Sequence, residues 1–200
     1  MWFKVLVLFL IFYQKEVQSW TNYRVTLRSA ELVHLEKGYI SDDYVYEIKR
    51  RNRTYSAVLL NLTTIRVVEN FNITVQFYQQ ASNQFKEFLP CMTIDYCTMI
   101  NPKAVSQQVG FADTFFKKLK EHIINLLFAD GHKLPKSCPI LKDNYYAELH
   151  IDETKLPSYL LPNGRYKLQI IFSLHGKKLV DSYTGFDLRT YSSEKQKQRL

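Results

Sequence analysis

The sequence predicts a mainly β protein, folded as a two-sheet antiparallel sandwich with one amphipathic helix packed at an edge. Short segments with alternating apolar residues recur along the chain, and one later segment changes to helical spacing. Tyrosine and phenylalanine are abundant, with 14 and 13 residues, and such side chains suit the half-buried face of a sheet. Only six glycines and six prolines are present, which argues against a disordered or fibrous chain.

Residues 1–19 have the pattern of a secretory signal peptide. A basic start precedes nine consecutive apolar or aromatic residues at 5–13, and Val17 and Ser19 suit the positions before a cleavage site. Nine apolar residues are too few to span a bilayer, which needs about 20. We therefore expect cleavage after Ser19 and a secreted, extracellular protein. The rest of the chain is expected to form one domain at residues 20–190 and a polar, disordered tail at residues 191–200.

The first half of the domain reads as a series of strands whose spacing is typical of a sandwich. The predicted strands are residues 23–27, 31–39, 44–48, 55–62, 65–68, 73–78 and 85–89. Ile73, Val75 and Phe77 alternate with polar neighbours in the clearest of them, which indicates one buried and one wetted face.

Three N-glycosylation acceptor tripeptides lie in this half of the chain. They begin at Asn52, Asn61 and Asn72. In a secreted chain at least one glycan is expected. If all three are used, the asparagines at 61 and 72 point outward, so that Leu60, Leu62 and Ile73 must point inward.

The apolar spacing becomes helical at residues 111–127, where apolar side chains recur every three or four positions, with three lysines and one glutamate between them. Phe115 and Leu119 lie on the apolar face of this predicted helix, and the Asp-Gly pair at residues 130–131 is a plausible stop. Such a stripe is more often core than ligand contact, but a helix that covers the open edge of a sandwich serves both roles.

Three further strands are predicted at residues 145–151, 166–174 and 179–188. The last two form a hairpin around His175 and Gly176, which supply turn chemistry. In the middle strand four side chains share one face. They are Tyr166, Leu168, Ile170 and Phe172.

Motifs of catalysis and of metal or cofactor binding are absent from the sequence. There is no Gly-x-Ser-x-Gly elbow, no phosphate-binding glycine loop and no His-Glu-x-x-His pair, and the five histidines are dispersed. We expect neither enzymatic activity nor a cofactor or metal. The net charge of +8 is scattered except at residues 49–53. That cluster is expected to be a solvated turn, with an anionic lipid headgroup or glycan as the alternative, and no nucleic acid is expected.

Several motifs give the chain a family resemblance. Cys-Pro-Ile at residues 138–140 is followed by Lys142 and Asp143, and Gly-x-Tyr-x-Leu-x-Ile occupies residues 164–170. In this order they resemble the C-terminal half of the myeloid-differentiation-related lipid-recognition (ML) family. Ile-Asp-Tyr-Cys at residues 94–97 is closer to its insect secreted branch, which includes the CheA/CheB chemosensory proteins and their relatives. The resemblance covers residues 90–188 and implies an immunoglobulin-like sandwich.

The resemblance also implies a disulfide between Cys97 and Cys138, because both occupy cysteine positions of the insect branch. Secretion alone makes some disulfide the default and leaves open a small loop between Cys91 and Cys97, with Cys138 free. Cys91 departs from the insect pattern, so that it is expected to be buried, reactive or paired between chains.

The function that the resemblance implies is binding of a hydrophobic ligand, such as a lipid, sterol or hydrocarbon, between splayed sheets. The implied lining residues are Val75, Phe77, Phe115, Leu119, Leu168, Ile170 and Phe172, with Tyr166 as a polar group at the mouth. A membrane receptor or channel is a second expected partner. The alternative is an extracellular accessory module that has kept the sandwich but filled its core, since inward phenylalanine and tyrosine fit either case.

Overall fold

The computed structural model describes residues 21–50, 56–100, 132–150 and 161–192. They form a sandwich of two antiparallel sheets, which confirms the predicted fold class. The predicted signal peptide and the predicted helix at residues 111–127 lie outside the described residues, as does Asn52. No helix within the described ranges is long and apolar enough to cross a membrane.

The described ranges contain nine strands and one short helix. In chain order they are β1 (Thr21–Leu35), β2 (Val45–Arg50), β3 (Ser56–Thr63), β4 (Asn72–Ala81), β5 (Gln84–Glu87), β6 (Met92–Asp95), α1 (Tyr96–Ile100), β7 (Asn144–Leu149), β8 (Gly164–Leu174) and β9 (Lys177–Ser192). The larger sheet has the order β1-β9-β8-β4-β5, with β6 also paired to β4. The smaller sheet has the order β2-β3-β7.

Strand β1 replaces two predicted strands, residues 23–27 and 31–39. Its pairing with β9 shifts register twice, between Leu27 and Ser29 and between Leu32 and His34. Each shift is a bulge that inserts one residue and resets which side chains face the core. Val33, at the second bulge, is 55% exposed. The bulges interrupt the alternation, and this is why the sequence suggested two strands.

Three other elements also differ from prediction. Residues 65–68 form no strand, because only Val68 makes a bridge, to Ile140, and its neighbours Ile65 and Val67 are exposed. Strand β6 was not predicted. Strand β9 extends to Ser192, two residues into the segment predicted to be a tail.

The turn between β8 and β9 lies where the sequence predicted it. His175 and Gly176 both have positive φ angles, 49° and 78°. Two successive residues in the left-handed region make the hairpin turn whose twist matches that of the flanking strands. Ser82 and Asn83 do the same between β4 and β5, with φ angles of 49° and 66°.

Helix α1 begins at a side-chain cap. The Asp95 carboxylate accepts a hydrogen bond from the Thr98 backbone N–H at 2.7 Å, which is the N-cap arrangement, and a second from the Asn70 amide. The bond from Thr98 is the main cause that lowers the pKa of Asp95. The cap turns the chain out of β6 immediately before Cys97.

One end of the sandwich is a filled core. Tyr166 is completely buried there, stacked on Phe186 with ring centroids 5.5 Å apart and touched edge-on by Phe88 at 5.7 Å. Leu27 and Leu188 are buried in the same cluster. The Tyr166 hydroxyl donates to the Pro162 carbonyl oxygen at 2.6 Å, so that this buried polar group is satisfied.

On the outer face of the larger sheet, Asp187 of β9 is held between two arginines. It accepts hydrogen bonds from Arg28 Nε of β1 at 2.8 Å and from Arg165 Nε of β8 at 3.1 Å. Burial alone would raise the pKa of Asp187, but the two guanidinium groups outweigh it and leave the pKa below its ordinary value. The carboxylate therefore ties three neighbouring strands together.

Replacing Asp187 by asparagine is expected to lower the free energy of unfolding by about 1–2 kcal/mol at neutral pH, because the arginines are half exposed and partly screened. A carboxylate whose pKa is lower in the folded state stabilises that state at any pH above its unfolded pKa of about 4. This stabilisation is lost as the pH falls through the folded-state pKa. Urea unfolding should therefore show a smaller difference between variant and wild type at about pH 3 than at neutral pH. The exposed Asp42, paired with Lys37, provides the control Asp42→Asn, for which no change is expected. An equal loss at both pH values would contradict this account of Asp187.

Candidate functional site

A cavity of about 210 Å³ lies between the two sheets. The larger sheet contributes apolar side chains from β4, β8 and β9, and the smaller sheet contributes those of β2, β3 and β7. The side chains that form the two walls are Ile73, Val75, Phe77, Leu168, Ile170, Phe172 and Val180 on one side and Tyr46, Val58, Leu60, Leu62, Tyr145 and Leu149 on the other. Because sheets packed face to face normally lie about 10 Å apart with interdigitated side chains, a cavity of this size requires them to splay.

The two sheets are held differently at their two edges. Strand β1 packs directly against β2 and β3, which brings the sheets together on that side. On the other side, α1 and residues 132–140 span the gap, and Leu134, Pro135 and Ile140 line the cavity. An apolar connection therefore covers the cavity on the side of β4 and β7.

A disulfide cross-links this second edge. Cys97 of α1 and Cys138 are bonded, with Cα atoms 5.9 Å apart, and they are the pair that the resemblance implied. The Tyr96 hydroxyl donates to the Pro135 carbonyl oxygen at 2.6 Å, and Val68 pairs with Ile140 through both backbone hydrogen bonds. Because α1 follows the larger sheet and residues 132–140 lead into β7 of the smaller one, these links connect the two sheets.

Three aromatic rings meet beside the disulfide. Phe71 stacks on Tyr96 with ring centroids 4.6 Å apart and meets Phe172 edge-on at 5.3 Å. All three rings line the cavity. Aromatic pairs in these geometries contribute about 0.5–1.5 kcal/mol beyond burial, so the group stabilises this end of the wall without filling the space between the sheets.

The polar side chains among the described lining residues all carry hydroxyls, and none of these residues is charged. Burial raises the pKa of Tyr96, and the neighbouring Tyr145 adds to this effect. Burial also raises the pKa of Tyr145, with a contribution from Asp143. Both phenols therefore stay neutral throughout the physiological range. Such a wall binds by removing apolar surface from water, which is worth about 0.8 kcal/mol for each buried methylene.

Five of the eight residues predicted to contact ligand line this cavity. They are Val75, Phe77, Leu168, Ile170 and Phe172. Two others, Phe115 and Leu119, lie outside the described residues. The eighth, Tyr166, was predicted to place a polar group at the mouth, and the structure puts it elsewhere: it points to the same side of β8 but lies in the filled core at the far end.

Sequence reasoning missed much of the opposite wall and part of β9. Leu60 and Leu62 do line the cavity, and the acceptor tripeptide at Asn61 had predicted that they point inward, but they were not included among the ligand contacts. Ser182 and Thr184 of β9 also line it. Because both side chains are small and polar, they did not indicate that this face of β9 points inward. The available signal was their alternation with the charged Asp181.

The other predicted sites have plain structural positions. Asn72 is exposed at the start of β4, and Asn61 lies on β3, where its side-chain oxygen accepts a hydrogen bond from Asn144 at 2.6 Å. Both point away from the cavity, opposite to Leu62 and Ile73, in the register that glycosylation would require. Cys91 is a free, exposed thiol, which excludes burial from the three alternatives and leaves a reactive Cys91 or one paired between chains as predictions.

Comparison with known proteins matches the middle of the chain to a family. Residues 71–168, just under half of the chain, match a family model described as "Protein of unknown function (DUF1091)". That family consists of ML-like insect proteins. The matched segment contains strands β4 to β7, α1, both cysteines of the disulfide and the Phe71 and Tyr96 rings. Among curated proteins, none matches the chain significantly.

Proposed function

We propose that the protein is a secreted binding protein that holds a hydrophobic ligand, such as a lipid, sterol or hydrocarbon, between its two sheets. The single observation that carries this proposal is the apolar cavity of about 210 Å³. A void of this size costs stability, because its lining atoms lose packing partners on one side. An apolar guest restores those contacts, so that the void is accounted for if it is a binding site.

The β-sandwich and the similarity of residues 71–168 to an ML-like family are compatible with this function. We place the chain in the insect branch with the CheA/CheB proteins on the motifs around Cys97 and Cys138. This placement motivates a chemosensory role, in which the ligand is a cue and the bound protein meets a membrane receptor or channel. The proposal requires neither a cofactor nor catalysis.

Secretion is proposed on three observations. The first nineteen residues have a signal-peptide pattern, and a disulfide forms and persists in oxidising compartments. Asn61 and Asn72 also face away from the cavity, where a glycan attached to either would not meet the core.

Filling the cavity should abolish binding without unfolding the protein. Val75 and Leu168 lie on neighbouring strands and both line the cavity, so Val75→Trp or Leu168→Trp adds an indole where space exists. We expect at least about tenfold weaker binding of a fluorescent fatty-acid probe, which corresponds to about 1.4 kcal/mol. Circular dichroism and the unfolding midpoint should remain close to those of the wild type.

Thr74→Trp is the matched control, because Thr74 precedes Val75 on β4 and faces away from the cavity, toward Thr93. It should bind the probe as the wild type does. A folded Val75→Trp variant with unchanged affinity would contradict a binding site at this position. A wild-type protein that binds no fatty acid, sterol or hydrocarbon at micromolar concentration would instead favour the accessory-module function.

A further inference from the structure

The hydroxyl pair of Tyr46 and Thr184 bears on which ligand the cavity selects. Tyr46 is on β2 and Thr184 is on β9, and their oxygen atoms are 2.7 Å apart. The bond crosses from the smaller sheet to the larger one, and both residues line the cavity. Thr184 is 4% exposed and Tyr46 is partly buried, so the pair is largely shielded from bulk water.

The pair differs from the other hydroxyls on the cavity wall in the acceptors of its hydrogen bonds. The other four each donate to a backbone carbonyl oxygen. These bonds are Thr64 to Leu141 at 2.8 Å, Tyr96 to Pro135 at 2.6 Å, Tyr145 to Leu141 at 2.8 Å and Ser182 to Ile170 at 3.2 Å. Their protons are therefore already used within the protein.

Tyr46 and Thr184 bond to each other instead. Each hydroxyl carries one proton, and a single mutual hydrogen bond uses only one of the two. The second proton makes no hydrogen bond to any acceptor among the described residues. A donor that is shielded from water and left without an acceptor costs about 1–3 kcal/mol. An acceptor supplied from within the cavity would remove that cost.

We propose that this second proton is donated to an oxygen atom of the ligand, which makes the ligand a neutral aliphatic molecule with a carbonyl oxygen, such as a ketone, aldehyde or ester. The inference rests on the proposed function and names its ligand class. The lining offers no charge to pair with a carboxylate or an amine, and burying an unpaired ion is strongly unfavourable. A pure hydrocarbon fits the wall but leaves the donor unsatisfied.

The cavity volume sets the length of chain that it can enclose. An apolar cavity of about 150 Å³ holds benzene, so 210 Å³ suits roughly eight to ten non-hydrogen atoms. This is the size of a medium aliphatic chain and well below that of a sterol ring system. Methyl heptyl ketone and n-decane are matched probes, because they have the same number of non-hydrogen atoms and differ in the oxygen.

The test measures the ratio of the two affinities directly, from the partition of each volatile probe between the headspace and a solution of the protein. The ketone is better hydrated than the alkane, but that difference is the same for every variant and cancels when ratios are compared. In the double variant Tyr46→Phe/Thr184→Val we expect the ratio to shift about tenfold toward the alkane, with alkane affinity unchanged. Removing both partners of a hydrogen bond is close to neutral for stability, so the double variant should fold.

The single variants sharpen the test. Tyr46→Phe or Thr184→Val leaves one hydroxyl whose proton is then free for the ligand, so the ratio should stay as in the wild type. Ser182→Ala removes a wall hydroxyl whose proton was already used, and it should not change the ratio either. An unchanged ratio in the double variant, with both probes still bound, would overturn the ligand class and leave the proposed function standing. If the wild type binds neither probe, the ligand class fails, and the proposed function fails with it only if no fatty acid, sterol or other hydrocarbon binds.

Discussion

Replacing Cys97 and Cys138 together by serine is expected to lower the free energy of unfolding by about 4 kcal/mol, because the bond closes a loop of 41 residues. A cross-link over a loop of this length removes many conformations from the unfolded chain. For a single domain that is stable by about 5–15 kcal/mol, such a loss is a large share of the total. Guanidinium unfolding of the oxidised wild type and of the double variant measures it directly.

The position of the bond adds a second expectation. The disulfide connects α1, which follows the larger sheet, to the segment that leads into β7 of the smaller sheet. Without it, the apolar edge formed by Leu134 and Pro135 is held by the Tyr96 hydroxyl and the pairing of Val68 with Ile140. We therefore expect the double variant to release a bound lipid probe faster than the wild type under conditions in which it is still folded.

Cys91→Ser is the control, because Cys91 is exposed and unpaired. It should leave both the unfolding free energy and the release rate unchanged. If the double serine variant were less than about 1 kcal/mol below the wild type, the loop would have to be nearly as restricted in the unfolded chain as in the folded one, and the entropic account would be wrong.

Alternation along the sequence was sufficient to predict the walls that β4 and β8 contribute. Val75, Phe77 and Leu168 face the cavity because the side chains of a strand alternate strictly, and both strands pair without a bulge at these positions. The fold class followed from the same signal repeated along the chain. The motif resemblance supplied what alternation could not, namely which two cysteines are joined.

The failures have equally local causes. Bulges at Arg28 and Val33 shifted the alternation of β1, and residues 65–68 have strand composition but form only one β-bridge, between Val68 and Ile140. Alternation specifies the face on which a side chain lies, but not its position along the sandwich. Tyr166 and Phe172 share a face of β8, and only the packing of the second sheet and of Phe186 makes one end filled and the other hollow.

Because one end of the sandwich is filled and the other is hollow, we expect two similar truncations to lower the free energy of unfolding by different amounts. Tyr166→Ala should destabilise the protein by about 4 kcal/mol, because Tyr166 is fully buried and surrounded by Phe88 and Phe186. Phe172→Ala should cost about 2 kcal/mol, since one side of its ring already faces the cavity and has no packing partners to lose. Urea unfolding of the ligand-free protein measures both.

Addition of a lipid ligand should narrow the difference between the costs of these two truncations, because it raises the cost of Phe172→Ala alone. A ligand that fills the cavity packs against Phe172 and not against Tyr166, so it should stabilise the wild type more than Phe172→Ala, while Tyr166→Ala should gain as much as the wild type. Tyr166→Phe separates the hydroxyl from the ring, and losing its bond to the Pro162 carbonyl should cost about 1 kcal/mol. Equal costs for the two alanine variants without ligand would show that the wall around Phe172 is as densely packed as the core, and the cavity would then not exist in solution.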